Sequence, residues 1–530
     1  EMKKNSSLFI LIIFLSLTLG FLIGSNKNFL TNNSYFSKNN LSKFNLLINY
    51  LSNNYVDQIN VDSIVGNSIQ DIIKNLDPHS NYISKQELDL ISDRMKGNFV
   101  GIGVSFLMVG DTVSVVNVIE GGPSKRAGIL PGDRILIANN DTLFKRSLKN
   151  LDVVSKLKGK SKSLIKLKIY RKSTSEFLDF EFNRGEVPLK SVIDYKIGRN
   201  TAYIKINRFA KTTFDEIKNT LSKYKKDTVN DLILDLRDNP GGYLFAAEKI
   251  LDEFLNEDKI IVITESNRGK KDSVFATKNG DFHKENIYVL VNGQSASASE
   301  VVAGAIQDND RGIIIGRRTY GKGLVQQQLP MGGGDVIRLT TARYYTPAGR
   351  SIQRSFKDGN QDYFNEIEDR YFSGEMIKQD AMPIIDSLEF KTIGGRKVYG
   401  GGGIVPDIFI PLEEITSEDY LNYFLLRSNI INNFVFTFLD GQRTNYNNKT
   451  ANEFLESPLI DSNSIIEKFK AYCFENNITV NFDNKEFIIN SIKAYIGLQL
   501  FNEKIFTEII NKEDDFLKRA LELIKSSYEI

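Results

Sequence analysis

The rhythm of hydrophobic and polar positions changes several times along the chain, and each change marks a part. Residues 8–23 are apolar except for Ser16, Thr18 and Gly20, and Lys3 and Lys4 precede them. That run is about long enough for a thin or slightly perturbed bilayer crossing. Residues 26–40 are polar and read as a linker. From 41 to 95 apolar residues recur at helical spacing (Leu46, Leu47, Tyr50, Leu51, then Ile64, Ile69, Ile72, Ile73, Leu76), which predicts a small helical segment. Asp77-Pro78-His79-Ser80 interrupts it as a turn, with His79 expected at a cap or on the surface. A strand-like stretch, VSVVNVI, then lies between Gly101-Ile102-Gly103-Val104 and the turn-rich GGPSKRAGILPGD.

From Glu186 onward strand and helix patterns alternate: TAYIKINRF, FDEIKNTLSKYKK, DLILDLR, AAEKILDEFL. This is βαβ logic, with parallel strands covered by helices. The strand pattern DLILDL at 231–236 ends in Arg237-Asp238-Asn239-Pro240-Gly241-Gly242, at the carboxyl end of a strand, where α/β proteins place their sites. The plain alternative is an ordinary turn with Arg237 facing solvent. Residues 287–291 form a β-branched run that reaches a turn at Asn292-Gly293. A small-residue string bearing Ser295, Ser297 and Ser299 then enters an apolar helical stretch, 301–306. The order is strand, turn, helix. A further strand, 312–316, leads to Thr319-Tyr320-Gly321-Lys322-Gly323, and LVQQQLPMGGGD predicts a hairpin after it. Residues 355–392 are polar and irregular and read as an insertion; the glycines at 394–403 read as hairpin turns. Beyond 411, stretches 465–474, 487–501 and 516–526 predict a helical tail.

Composition narrows the chemistry. A chain of 530 residues needs three or four domains, and with 41% hydrophobic and 25% charged residues its bulk reads as ordinary globular protein. A net charge of +2 gives no reason to expect nucleic acid. The single cysteine, Cys473, excludes an intramolecular disulfide and a cysteine-based zinc cluster, and is expected half-buried on a helix. Two histidines, His79 and His283, and no H-E-x-x-H motif leave little material for a metal site. No alanine occurs before Ala127, so the apolar run lacks an A-x-A cleavage site and favours an uncleaved signal anchor over a signal peptide. The two lysines then stay in the cytoplasm and the body is exported.

The serine string is the strongest chemical signal. A serine where a strand turns into a helix lies near free amides and the positive end of the helix dipole, where an attacking oxyanion and its tetrahedral product are both favoured. Lys322 lies between two glycines, so packing can bury its amine. Lowering a lysine from about 10.4 to roughly 7 by desolvation costs about 4 kcal/mol, and a neutral lysine takes a serine proton without any histidine. Two other readings compete. Ser297-Ala298-Ser299-Glu300 is also a capping box, and Gly316 to Gly323 nearly spells a phosphate-binding G-x-x-x-x-G-K-[ST], without its final hydroxyl.

SASASE at 295–300, the lysine of YGKG twenty-five residues after Ser297, and Gln326 four residues further on resemble the carboxy-terminal processing, or tail-specific, proteases. The resemblance spans roughly residues 60 to 412 and includes 336–353 and the glycine turns to Asp407. It implies an α/β protease core of ClpP/crotonase-like β–α units with an inserted PDZ domain, preceded by a membrane anchor and helical segment and followed by a helical tail. The parts are then 1–25 signal anchor or signal peptide, 26–92 linker and helical region, 93–183 PDZ domain, 184–412 protease core with the insertion at 355–392, and 413–530 helical region.

By the same resemblance Ser297 is the nucleophile, Lys322 the base and Gln326 its orienting partner. Gly242 and Ala298 amides form the oxyanion hole, and Asp308 stands where some members have an acidic residue. The PDZ resemblance places a carboxylate-binding loop at Gly101, Ile102, Gly103 and Val104, from which such domains take peptide C-termini as an added strand; a packing module that binds nothing is the alternative. The implied function is a serine endopeptidase cleaving near a C-terminus, with no cofactor and no metal. Its partners are protein or peptide substrates with free C-termini and a membrane held through residues 8–24, with self-association left open. Its expected place is a bacterial inner membrane, single-pass, with the catalytic body on the periplasmic or extracytoplasmic side. A catalytically inactive PDZ scaffold is the competing class.

Overall fold

The computed structural model describes residues 38–144, 148–227, 229–357, 359–382, 388–412, 428–446, 449–459, 461–480, 482 and 484–529. The apolar run at 8–23 lies outside them, and no helix among the described residues is long and apolar enough to cross a membrane. The described residues divide into two compact units, one ending at Asn75 and one beginning at Leu76. In the first, helices Lys38–Asn54 and Val61–Lys74 follow the predicted periodicity, and the Asn60 side chain caps the second by accepting from Ser63 N–H at 3.0 Å.

The centre of the second unit is a six-stranded sheet in the order Val192–Ile197, Thr201–Ile206, Asp231–Asp235, Asn286–Val291, Ile313–Gly316, Ile408–Phe409. Its first pair is antiparallel and the rest are parallel. Period-two alternation divides each strand between two cores. Leu232, Leu234, Ile287, Val289 and Val291 pack with helices Thr213–Lys226, Leu244–Phe254 and Ala298–Asp308. Ile233, Tyr288 and Leu290 pack on the opposite face with the last helix, Asp515–Ser527, through Phe516, Leu517, Ala520 and Ile524. A second, antiparallel sheet contains the hairpin Leu324–Gly332 and Asp335–Tyr345. It also takes in the short strand Asn81–Ile83.

The domain at 104–183 has its own sheet and its own core, around Ile102, Val113, Val115, Ile135, Ile165 and Ile169. It joins the part of the chain built on the six-stranded sheet through a two-stranded neck, Asn98–Gly101 against Gly185–Pro188. The helix Lys85–Lys96 leads into that neck, opened by a Ser84/Glu87 capping box. The helices from Ile430–Leu439 to Glu503–Ile510 share a separate core that includes buried Cys473. They dock on the 104–183 domain where Asp440 meets Arg134 and, at 3.0 Å, Lys172.

Two expectations change. The insertion is not irregular throughout, since residues Asn360–Phe372 form a helix. Its inward positions carry Tyr363, Glu366 and Arg370, so its buried face is largely charged and the apolar periodicity that marks a helix is missing. Arg237 does not face solvent. It is buried, paired with Asp235 at 2.6 Å and with Asp514 at 2.6 Å. Burial works against its charge, but the two carboxylates more than offset that and hold its pKa above the ordinary guanidinium range.

Candidate active site

The three serines of the string have different occupations. Ser295 Oγ donates to the Leu236 carbonyl at 2.8 Å and accepts from Asn292 N–H at 3.0 Å. Ser299 Oγ donates to the Asn239 carbonyl at 2.9 Å. Both are buried and fasten the turn to the glycine loop that ends strand Asp231–Asp235. Ser297 is the half-exposed one, and its hydroxyl makes no helix-capping hydrogen bond. Only the reciprocal half of the capping box is in hydrogen-bond geometry, with Ser297 N–H donating to Glu300 at 2.8 Å. The Ser297 backbone has φ 56° and ψ −114°, a conformation costly for a non-glycine residue and one that turns its side chain out of the strand-to-helix corner.

The residues that carry the two candidate oxyanion amides, Ala298 and Gly242, line the same cleft as Ser297. Ala298 is the first residue of helix Ala298–Asp308, so its N–H has no partner within the helix. In the glycine loop the Gly241 N–H is already donated to Asn239 Oδ1 at 2.9 Å, whereas the Gly242 N–H is given to no acceptor among the described residues. The loop approaches so closely that a Cβ on Gly241 would lie 2.9 Å from Ala298 N, and one on Gly242 would lie 2.2 Å from the Phe209 carbonyl oxygen. Only glycines allow this contact.

Ser297, Ala298, Gly241, Gly242, Lys322 and Gln326 line one cleft of about 450 Å³. The helix Lys85–Lys96 contributes Leu88, Ile91 and Met95 to its wall. Lys322 Nζ donates to Gln326 Oε1 at 2.8 Å, and Gln326 Nε2 donates to the His79 carbonyl at 2.7 Å. No hydrogen bond joins Lys322 Nζ to Ser297 Oγ here; such contacts are often loose until substrate is bound. Burial lowers the Lys322 pKa from 10.5 to about 8, and the nearby Arg338 guanidinium adds to the effect, against the pull of Glu300 and Asp77.

Sequence reasoning missed the residues that hold these pieces together. Glu300 is fully buried and accepts from Ser297 N–H, Thr319 Oγ1 (2.6 Å), Gly321 N–H (2.7 Å) and Lys322 N–H (2.9 Å). One carboxylate thus joins the serine turn to the lysine loop. Burial raises its pKa, and the four donors work in the other direction. Tyr344 Oη spans the same two loops, donating toward the Ser297 carbonyl at 3.1 Å and the Lys322 carbonyl. The capping-box spacing was the only sequence signal for Glu300; none pointed to Tyr344. His79 is a half-buried residue and not a surface cap, and burial pushes its imidazole down to about 3. Asp308 lies at the far end of the serine helix, where it pairs with Arg350 at 2.7 Å, both fully buried, away from the cleft.

The phosphate-cradle reading fails at this point, because the lysine is followed by strand Leu324–Gly332 and not by a helix whose amides could face a phosphate. In the 104–183 domain Gly101 pairs with Gly185 in the neck, while the Ile102 and Gly103 carbonyls accept from Ser124 and Ile119. Gly101, Ile102 and Gly103 are buried, and Val104 opens strand Val104–Val109 at the edge of its sheet.

A half-exposed serine on a strand-to-helix corner, sharing a cleft with a half-buried lysine, on an α/β core joined to a β-rich domain, points to a serine-type peptidase. Comparison with known proteins places that class. The model of peptidase family S41 matches residues 200–359, a PDZ domain model matches 100–181, and a family of unknown function matches 421–502. A carboxy-terminal-processing protease of Bartonella bacilliformis is 35% identical over 360 residues, covering 66% of this chain and 81% of that protein. The carboxy-terminal processing protease CtpB of Bacillus subtilis is 33% identical over 310 residues, 57% of this chain and 64% of its own. Among solved structures, a photosystem II D1 C-terminal processing protease aligns with a TM-score of 0.36 at 24% identity, over 71% of this chain and 89% of that one. The chain belongs to the carboxy-terminal-processing proteases.

Proposed function

We propose that this peptidase works through a Ser297–Lys322 dyad and selects substrates by a free C-terminus. One observation carries the dyad. Of three neighbouring serines only Ser297 keeps its hydroxyl free, and the cleft it lines also holds an amine lowered by burial to about 8. Neutral Lys322 takes the Oγ proton as Oγ bonds to the scissile carbonyl carbon, and the Gly242 and Ala298 amides hold the oxyanion. Collapse breaks the C–N bond, and Lys322 passes its proton to the leaving amine. Water then attacks the acyl-serine by the same proton route, which restores Ser297 and a neutral Lys322. Gln326 holds the amine in place between steps.

Strand Val104–Val109 supports the second part, because its outer edge is unpaired within the sheet and offers backbone groups to an added peptide strand. The carboxylate would be taken by amides of the loop 101–104. The apolar run at 8–23 supports an inner-membrane anchor with the catalytic body outside the cytoplasm.

The test compares Ser297→Ala and Lys322→Arg with the wild-type chain on a loosely folded protein substrate. Both variants should keep the wild-type melting temperature and lose cleavage, since a guanidinium stays protonated at any accessible pH. Normal turnover by Lys322→Arg excludes the dyad, and a wild-type chain that binds C-termini without cleaving them makes the protein a scaffold.

A further inference from the structure

The helix Asn360–Phe372 of the insertion reaches the catalytic lysine by two routes. In the first, Tyr363 is buried, and its hydroxyl lies 2.7 Å from His79 Nε2 in a hydrogen bond, with the two rings edge to face at 5.2 Å. The His79 carbonyl holds Gln326 Nε2 at 2.7 Å, and Gln326 Oε1 holds Lys322 Nζ at 2.8 Å. The turn bearing His79 is itself rigid. Asp77 accepts from the His79 and Ser80 amides at 2.8 Å each and from Ser80 Oγ at 2.6 Å, and Ser80 Oγ accepts from Thr340 N–H at 3.0 Å.

In the second route the helix holds the loop before Lys322 from behind. Arg370 donates to the Thr319 carbonyl at 2.8 Å and to the Tyr320 carbonyl at 3.4 Å. Arg354, bonded to Glu366 at 2.9 Å, lies between the Tyr320 and Tyr363 rings at 4.3 and 4.0 Å. Its own amide donates to the Gly321 carbonyl at 3.0 Å. Arg318, at the start of the same loop, is held by Glu375 at 2.6 Å. A solvated insertion would not need to bury Arg370 and Glu375 against a loop and two core arginines, Arg318 and Arg354, that are buried with them, since each buried charge must be paired to be tolerated.

We infer that this helix is a brace for the general base, with Tyr363 and His79 as positioning residues that hold Gln326, and through it the Lys322 amine, toward Ser297. The inference rests on the reading of Lys322 as the base. It gives the insertion a role in catalysis although none of its described residues lines the cleft of Ser297 and Lys322. Gln326 has one carbonyl oxygen for the lysine and one NH₂ for its anchor, so an anchor that drifts takes the lysine with it. Edge contact between Tyr363 and His79 and the hydroxyl-to-Nε2 bond leave the imidazole, and hence the turn, one orientation.

Tyr363→Phe keeps the ring and removes the hydroxyl, and His79→Leu removes the other end of the same bond. Measured on the full chain, each should lower kcat by roughly two- to tenfold, the worth of one neutral hydrogen bond, with KM and melting temperature unchanged. The double variant should fall by less than the product of the two single effects, because the hydroxyl and the imidazole share one hydrogen bond. The acid limb of kcat/KM should also move upward from about 8, as a loosened amine samples a wetter position. Arg338, Glu300, Asp77 and His79 face Lys322, and Lys322, Asp77 and Arg354 face His79. None of these charges is altered by Tyr363→Phe, so a moved midpoint reports position alone. Wild-type kcat and midpoint in Tyr363→Phe overturn the brace, as does a drop in melting temperature with an unmoved midpoint. If Tyr363→Phe does not fold, His79→Leu decides by the same two readings. Should Lys322→Arg stay active, the base itself is misassigned; should it be dead while Tyr363→Phe is normal, only the brace fails.

Discussion

Replacing Arg338 by glutamine tests what lowers the Lys322 pKa. Burial is the first cause of its low pKa and the Arg338 guanidinium the second. The displacement from 10.5 to about 8 corresponds to about 3 kcal/mol of disfavoured charge. At pH 7 it raises the neutral fraction from about one in three thousand to about one in ten, so the site gains roughly 300-fold more base. Glutamine removes the like charge without exposing the amine, so the acid limb of the rate profile should move above about 8 while the plateau at high pH is kept. The assay is kcat/KM for a fluorogenic peptide at low substrate between about pH 6 and 10, which reports the free-enzyme value. The same displacement has a stability signature. Between about 8 and 10.5 the unfolded chain still holds a proton that the folded one has lost, so stability should rise with pH through that window. A wild-type midpoint near the ordinary imidazole value of about 6.5 refutes the reasoning by assigning the proton to another group. An unmoved midpoint with all rates reduced by one factor refutes it too, because Arg338 would then be only a substrate contact.

Gly242→Ala places a Cβ 2.2 Å from the Phe209 carbonyl oxygen at a residue with φ 150°; displacement of the donor should cost about 100- to 1,000-fold in kcat, and a near-normal kcat would remove Gly242 from the oxyanion hole. A peptide with an apolar free C-terminus should be cleaved about ten- to a hundredfold better than its C-terminal amide, the worth of one charge-assisted hydrogen bond. Equal rates at low substrate would remove delivery by the PDZ domain while leaving the Ser–Lys chemistry standing. The chain that includes residues 8–23 should stay with membranes through an alkaline carbonate wash, whereas one starting near Asn39 should be soluble; release of the longer chain would argue against an anchor.

Local backbone demands explain what was legible in the residues. The run 287–306 has to be strand, tight turn and helix in sequence, because β-branched residues, Asn292-Gly293 and small side chains favour only that order. Likewise, strand stretches alternate with helical ones from Glu186 onward, and the βαβ pattern follows from that alternation; Leu232 and Ile233 then fall in two different cores. The helix Asn360–Phe372 was not legible, because its inward face carries Glu366 and Arg370 for partners on the lysine loop. Asp514 and Arg237 were equally hidden, since their pairing joins residues 277 positions apart in the chain.

Sequence alone therefore determined the covalent candidates, a serine on a strand-to-helix corner and a lysine between glycines, together with the order of the domains that carry them. The tertiary structure decided which serine is free, because the hydroxyls of Ser295 and Ser299 are taken by the carbonyls of Leu236 and Asn239 on a different strand end. It also lowered the proton affinity of the lysine. Desolvation and the charge of Arg338 act through space, and neither is encoded in the residues adjoining Lys322. Chain-local geometry is set by a few neighbouring residues, whereas proton affinity and hydrogen-bond vacancy depend on every group that packing brings within reach.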